Sequence, residues 1–115
     1  MKYHHYSIPT ETPQSNEVYV EAADVYVTNP EENPYGIMFV RCGKNCNLPK
    51  IVKEKTHICF FVDNMEEAIE GKEVVLGPRI SNAGNKNIEV AIINENGVLI
   101  EFMKYISSDH TFAPK

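Results

Sequence analysis

Apolar and polar positions alternate most clearly over His57-Ile58-Cys59-Phe60-Phe61-Val62. With a period of two, His57, Cys59 and Phe61 share one face, and Ile58, Phe60 and Val62 share the other. Both faces are largely apolar, which predicts a strand covered on both sides. Asp63 then reads as a helix N-cap, with Glu66 completing a capping box. The helix is short, and Gly71 is a natural terminator. A short strand over 73–76 follows, stopped by Gly77-Pro78, and residues 77–87 read as a polar loop. Ile88–Ile93 predicts a strand, Asn96-Gly97 a tight hairpin turn and Val98–Tyr105 the returning strand. Residues 56–105 therefore spell β-α-β-β-β. The tail 107–115 reads as loosely held, and His110 within it as a surface histidine.

The first half repeats this order with one element missing. Residues 2–8 predict a strand with His5 and Ser7 on one face and Tyr6 and Ile8 on the other. Residues 9–16 contain two prolines and few apolar positions, which argues against a helix. Residues 17–20 and 23–28 are rich in β-formers, Asn29-Pro30 to Asn33-Pro34 makes a turn, and residues 35–41 predict a strand. His5-Tyr6-Ser7-Ile8 lies over His57-Ile58-Cys59-Phe60, and Gly36-Ile37-Met38-Phe39-Val40 over Leu99-Ile100-Glu101-Phe102-Met103. The repeat is about 50 residues long. The expected organisation is one domain over 1–106, with a first module over about 1–46, a linker near 47–55 and a second module over about 55–106.

The chain has 115 residues, enough to bury a core without disulfides or structural metals. Its net charge of −5 argues against a nucleic-acid surface. Lys50, Lys53 and Lys55 make no basic stripe, because Ile51, Val52 and Glu54 interrupt them. No apolar run approaches the roughly 18 residues of a membrane span. The N-terminal MKYHHYSIP lacks the basic start and apolar run of a signal peptide, so the expected location is cytoplasmic. Cys42, Cys46 and Cys59 form no even framework of disulfides. Cys42 and Cys46, in CGKNC, would supply half a zinc site whose second half is missing; reduced thiols are the simpler reading.

Glu101 is the residue that most needs an explanation. Its face carries Leu99, Met103 and Tyr105, and the opposite face carries Val98, Ile100 and Phe102. A carboxylate in that setting needs a partner, because an unpaired buried charge is very costly. Arg79, a lysine or a metal would serve; a surface glutamate on a half-exposed strand is the alternative. His57, taken alone, reads as a core or edge histidine satisfied by a backbone group. The repeat changes this, since it gives His5 the same place as His57. Two histidines and one carboxylate facing a common cavity suit Fe(II), and also Mn, Ni or Zn.

The run His57-Ile58-Cys59-Phe60-Phe61-Val62-Asp63-Asn64-Met65-Glu66-Glu67-Ala68 resembles the opening of a vicinal oxygen chelate module, the glyoxalase/bleomycin-resistance/dioxygenase type. The run from Glu89 to Met103, with Asn96-Gly97 and Leu99-Ile100-Glu101-Phe102, resembles its ending. The likeness over 2–8 and 24–41 is looser and lacks the first helix. That family pairs two βαβββ modules into a cup around a divalent metal, with ligands on the first and last strands of each module. The resemblance therefore implies an α+β fold: two βαβββ-like modules, the first without a clear helix, in a curled, mostly antiparallel half-barrel. It implies His5, His57 and Glu101 as metal ligands, with His4 the poorer choice because His5 aligns with His57. The family's fourth position falls on Met38, whose thioether is a poor ligand for a hard or borderline ion. This departs from the four-ligand glyoxalase I pattern and is more similar to the ring-cleaving dioxygenases.

The activity so implied is a divalent-metal-dependent lyase, isomerase or dioxygenase acting on a small oxygen-bearing molecule. The alternative is a metal-free protein of the same fold that binds a drug or metabolite. Its cup would use Tyr6, Tyr26, Phe39, Phe61 and Phe102, residues that also read as plain core packing. The resemblance further implies pairing into a homodimer. No independent general base is visible, since Glu101 is already assigned.

Overall fold

The computed structural model describes residues 1–81 and 88–106. The alternating segments become one mixed sheet of eight strands: β1 (Lys2–Pro9), β2 (Val18–Val20), β3 (Val25–Val27), β4 (Ile37–Cys42), β5 (His57–Phe61), β6 (Glu73–Ser81), β7 (Ile88–Glu95) and β8 (Val98–Tyr105). Their spatial order is β2-β3-β4-β1-β5-β8-β7-β6. The second half is a βαβββ-like unit, the first has the same four strands without the helix, and the two meet at the antiparallel pair β1–β5. The first and last strands of each half run parallel, β1 with β4 and β5 with β8. The remaining pairings are antiparallel. Val25 and Val27 near one edge and Leu76 and Arg79 at the other line one cavity. The sheet is thus curled into a half-barrel.

The strand register carries the sequence repeat residue by residue. Ser7 pairs with Met38 across β1–β4, and Cys59 pairs with Glu101 across β5–β8. At the seam, His5 pairs with Cys59 and Ser7 with His57. A twofold relation that exchanges His5 with His57 and Ser7 with Cys59 leaves this pairing unchanged.

Two short helices complete the described chain, α1 (Lys50–Glu54) and α2 (Met65–Ile69). Helix α2 buries Met65 against Ala91, Ile93 and Phe102 on the convex face of the second half. Its cap is Asn64, whose side chain accepts from the Glu67 amide at 3.0 Å, and not the expected Asp63. The cause lies in the strand: the Val62 amide still bonds the Met103 carbonyl at 2.9 Å, which delays the turn by one residue. Gly71 does terminate the segment, with φ +72.

Helix α1 lies within the expected linker 47–55. It starts after Pro49 and buries Val52 against Ile92 and Leu99. A segment of 5 residues, with lysines at 50 and 53, is too short to reveal a helical period. The expected stop at Gly77-Pro78 is also corrected, because β6 continues through it to Ser81 with register shifts. β6 is an edge strand, and Pro78 falls in the register shift between Leu76 and Arg79, where its missing N–H is tolerated. Gly77 has φ +79, and a Cβ there would collide with the Val90 carbonyl.

Residues 9–16 form no helix, as their prolines require. The expected loop residues 82–87 and the expected loose tail 107–115, with His110, lie outside the described residues. Among the described residues no helix is long and apolar enough to cross a membrane.

Candidate metal centre

His5 on β1, His57 on β5 and Glu101 on β8 converge at the centre of the concave face. The three strands are consecutive in the sheet, and each residue sits on the inward side of its strand. His57 Nε2 lies 3.0 Å from Glu101 Oε1, and His5 Nε2 lies 3.5 Å from the same oxygen. The ligand atoms of all three lie within 4.8 Å of one another. Two donors each about 2.1 Å from one ion stand roughly 3.0 Å apart at a right angle and about 3.4 Å apart at a tetrahedral angle. The cluster therefore has the size of a coordination shell and could hold a metal ion.

The surroundings fit that use. His5 is 3% exposed and His57 8% exposed. His5 Nε2 and His57 Nδ1 are buried without a hydrogen-bond partner among the described residues. Buried polar atoms of this kind ordinarily have partners, so His5 Nε2, without one and 3.5 Å from the carboxylate, suits a ligand in a cluster that could hold a metal ion. Burial pushes the Glu101 carboxyl up, but the hydrogen bond from His57 Nε2 and the attraction of the two imidazoles outweigh it and hold the group well below the ordinary carboxylate range. Glu101 is thus an anion. The cavity it faces, of about 150 Å³, is walled largely by aliphatic side chains such as Val25, Val27, Val90 and Ile92. Met38 lines it as well, as the repeat requires.

The partner that Glu101 needed is therefore the histidine pair. Arg79 lines the same cavity, yet the ion pairs that Glu101 makes among the described residues are with His5 and His57. Sequence reasoning set His4 aside as the poorer ligand and did not place it beside His5 on the concave face. Strict alternation would turn it away from His5, but β1 carries a bulge between Tyr3 and His5 where the register against β5 shifts. Both rings then sit on the concave side, with His4 Nδ1 2.7 Å from His5 Nδ1. His4 Nε2 lies 3.4 Å from Glu31 Oε2. Burial and the neighbouring His5 push the His4 imidazole down, against the pull of Glu31, so that it stays neutral. Nothing in the sequence announces the bulge.

His4, His5 and Cys59 form a second group of potential donors, which shares His5 with the first. Burial and the adjacent Glu101 push the Cys59 thiol well up. A thiol that keeps its proton is a poor ligand, which favours the two-histidine, one-glutamate set. Cys42 and Cys46 bring their sulfurs to 2.7 Å, and both are free thiols. Burial and Cys46 raise Cys42 to about 11. Among the described residues no third donor joins them into a metal group.

The aromatic cup expected for a metal-free binder is not formed. Tyr6, Tyr26, Phe39, Phe61 and Phe102 are absent from the cavity lining. Phe102 packs beneath α2, Phe61 stacks on Tyr105, and Tyr26 lies under the Arg41 guanidinium. On β4 the aromatic Phe39 falls on the convex side because Met38 and Val40 take the concave one.

The fold and this buried cluster define a curled, two-module half-barrel with a candidate metal-binding centre. The solved structure of hypothetical protein BH1468 from Bacillus halodurans C-125 is similar over nearly its whole length. It matches with a TM-score of 0.65 and 17% identity over 96% of this chain and 98% of that one. No protein-family model matches the chain, and no curated protein does.

Proposed function

We propose that the protein is a small metalloprotein of the vicinal oxygen chelate type, in which His5, His57 and Glu101 hold one divalent ion. Its ligand is a small oxygen-bearing organic molecule seated in the adjoining cavity, and its activity is that of a lyase, isomerase or dioxygenase. The observation that carries this reading is the pair of 3.0 Å and 3.5 Å contacts from two buried imidazoles to one carboxylate oxygen.

Three protein donors leave positions open for a substrate, as catalytic sites do. A bound ion of this kind supplies Lewis acidity toward a carbonyl or enediolate oxygen. The chain's own contribution is positional. Val25, Val27, Val90 and Ile92 exclude water and so strengthen each polar contact inside. Ser7 is 1% exposed, lines the cavity, and leaves its hydroxyl without a partner among the described residues. It is placed to hydrogen-bond an oxygen of the bound molecule.

The test is elemental analysis of untagged protein purified without added metal, beside His57→Ala. The reading expects close to one transition metal per chain in the wild type and a large loss in the variant. Calorimetry against ketoaldehydes, catechols and apolar drugs, with and without chelator, separates it from a metal-free binder. Ligand affinity that is the same in both conditions would sink the metalloprotein reading.

A further inference from the structure

We infer that Glu31 and His4 are positioning residues that set the tautomer of His5 and aim its Nε2 lone pair at the metal centre. The inference rests on the metal reading above only for its purpose; the tautomer itself follows from hydrogen bonds within the chain. His4 and His5 face each other Nδ1 to Nδ1 at 2.7 Å. Between two neutral rings such a contact needs one proton, since two protons collide and none leaves lone pair against lone pair. Glu31 decides which ring carries it. Its ionised carboxylate only accepts, so His4 donates from Nε2 across 3.4 Å. His4 Nδ1 is then bare and accepts, and His5 Nδ1 donates. His5 Nε2 is in turn left with its lone pair, 3.5 Å from Glu101 Oε1 and without a hydrogen-bond partner.

A lone pair held against a carboxylate is unfavourable until a cation lies between them. The outer chain from Glu31 thus prepares His5 as an electron-pair donor before any ion arrives. Metal-ligating histidines commonly donate their second N–H to a fixed acceptor, which orients the ring. Here the acceptor is another histidine on the same strand, brought inward by the bulge.

Each member of the chain is itself held. The His4 ring meets Phe61 edge-on at 4.7 Å and His5 at 4.9 Å. Glu31 sits in a one-turn 3-10 segment, Pro30–Glu32, capped by Asn29, which accepts from the Glu31 amide at 2.9 Å. Gly36 carries φ +70, and a Cβ there would come within 2.9 Å of the His4 carbonyl, so the bulge packs against a residue that only glycine suits. His57 has no counterpart to this support, because its Nδ1 is unpartnered among the described residues. Among the described residues, such an outer shell is built in the first half alone.

Two measurements test the proposal. Long-range proton–nitrogen correlation spectra of the metal-free protein read the tautomers directly. Wild type should show His5 protonated at Nδ1 and His4 at Nε2, and Glu31→Gln should shift both populations, because an amide can donate to His4 Nε2. Competitive titration with Co(II) against a chromophoric chelator reads the consequence. Glu31→Gln and His4→Phe should each weaken binding about 10–100-fold. His4→Asn, whose side-chain oxygen can accept from His5 Nδ1, should stay within a few-fold of wild type. Glu31 lies in a partly exposed turn, so Glu31→Gln serves if His4→Phe fails to fold. His5 protonated at Nε2 in the wild type, or tautomers indifferent to Glu31→Gln, would overturn the proposal. A wild type that shows the expected tautomers yet takes up no Co(II) would instead remove the metal reading and leave the positioning chain standing.

Discussion

Met38 and Glu101 hold the same place in the two halves of the sheet. Met38 pairs with Ser7 as Glu101 pairs with Cys59, and both side chains line the cavity. A thioether fills space there without adding charge. Two neutral imidazoles and one carboxylate leave a divalent ion with a net charge near +1, and a second carboxylate would neutralise it. Met38→Glu should therefore tighten divalent-metal binding at least about tenfold, roughly 1.4 kcal/mol. It should also destabilise the metal-free protein, because two carboxylates would face one pocket and one must take a proton. Competitive metal titration and melting in chelator check both halves; unchanged values in both would mean that residue 38 does not serve the site.

The repeat was legible because each half keeps its residue types at matching strand positions. His5 over His57 and Met38 over Glu101 follow from the repeat together with strand alternation, and the register carries the same correspondence. What escaped the sequence depends on single hydrogen bonds or on departures from alternation. The bulge that turns His4 inward leaves no compositional mark. Helix α1 is held by the burial of Val52, a tertiary contact, and its lysines resemble a solvated linker. The aromatic residues suit a cup only under the metal-free alternative and otherwise read as core packing, because aromatics suit ligands as well as cores. Their strand parity and α2 decide for packing, with Phe102 under Met65.

The cap of α2 gives a direct stability test. Asn64 accepts from the Glu67 amide, while Asp63 makes no such contact. Loss of a side-chain cap costs about 1 kcal/mol. Asn64→Ala should lower stability by that amount in urea unfolding, and Asp63→Ala should change it by less than about 0.5 kcal/mol. The opposite order would return the cap to Asp63.

Gly36 should tolerate substitution far less well than Gly97. Both have positive φ, but a Cβ on Gly97 meets open space, whereas one on Gly36 presses on the His4 carbonyl and the Tyr3 ring. The left-handed backbone alone costs a residue with a side chain about 1–2 kcal/mol. Gly97→Ala should show that cost, and Gly36→Ala should exceed it by about 1 kcal/mol or more through strain on β1. Because the strained strand carries His4 and His5, Gly36→Ala should also weaken metal binding, which Gly97→Ala should not. Equal stability losses, read from paired denaturant curves, would refute the close packing of Gly36 on the bulge.

The anion at the centre predicts an acid signature for the metal-free protein. Glu101 is buried, which by itself would raise its carboxyl, yet His5 and His57 hold it well below the ordinary range. A carboxyl whose folded value is depressed contributes stability that is fully present above its unfolded value, near about 4.3. That contribution is lost as pH falls toward the folded value, where both states become protonated. Glu101→Gln removes the titration while keeping an acceptor for the His57 Nε2–H. Stability in chelator should therefore be compared for the two proteins across the acid range. The difference, wild type minus variant, should begin to fall as pH drops below about 4.5 and continue falling well under the ordinary carboxylate range. A difference that stays level down to about pH 2 would mean that the folded carboxyl titrates as it does in the unfolded chain, and that the two histidines do not hold Glu101 as an anion.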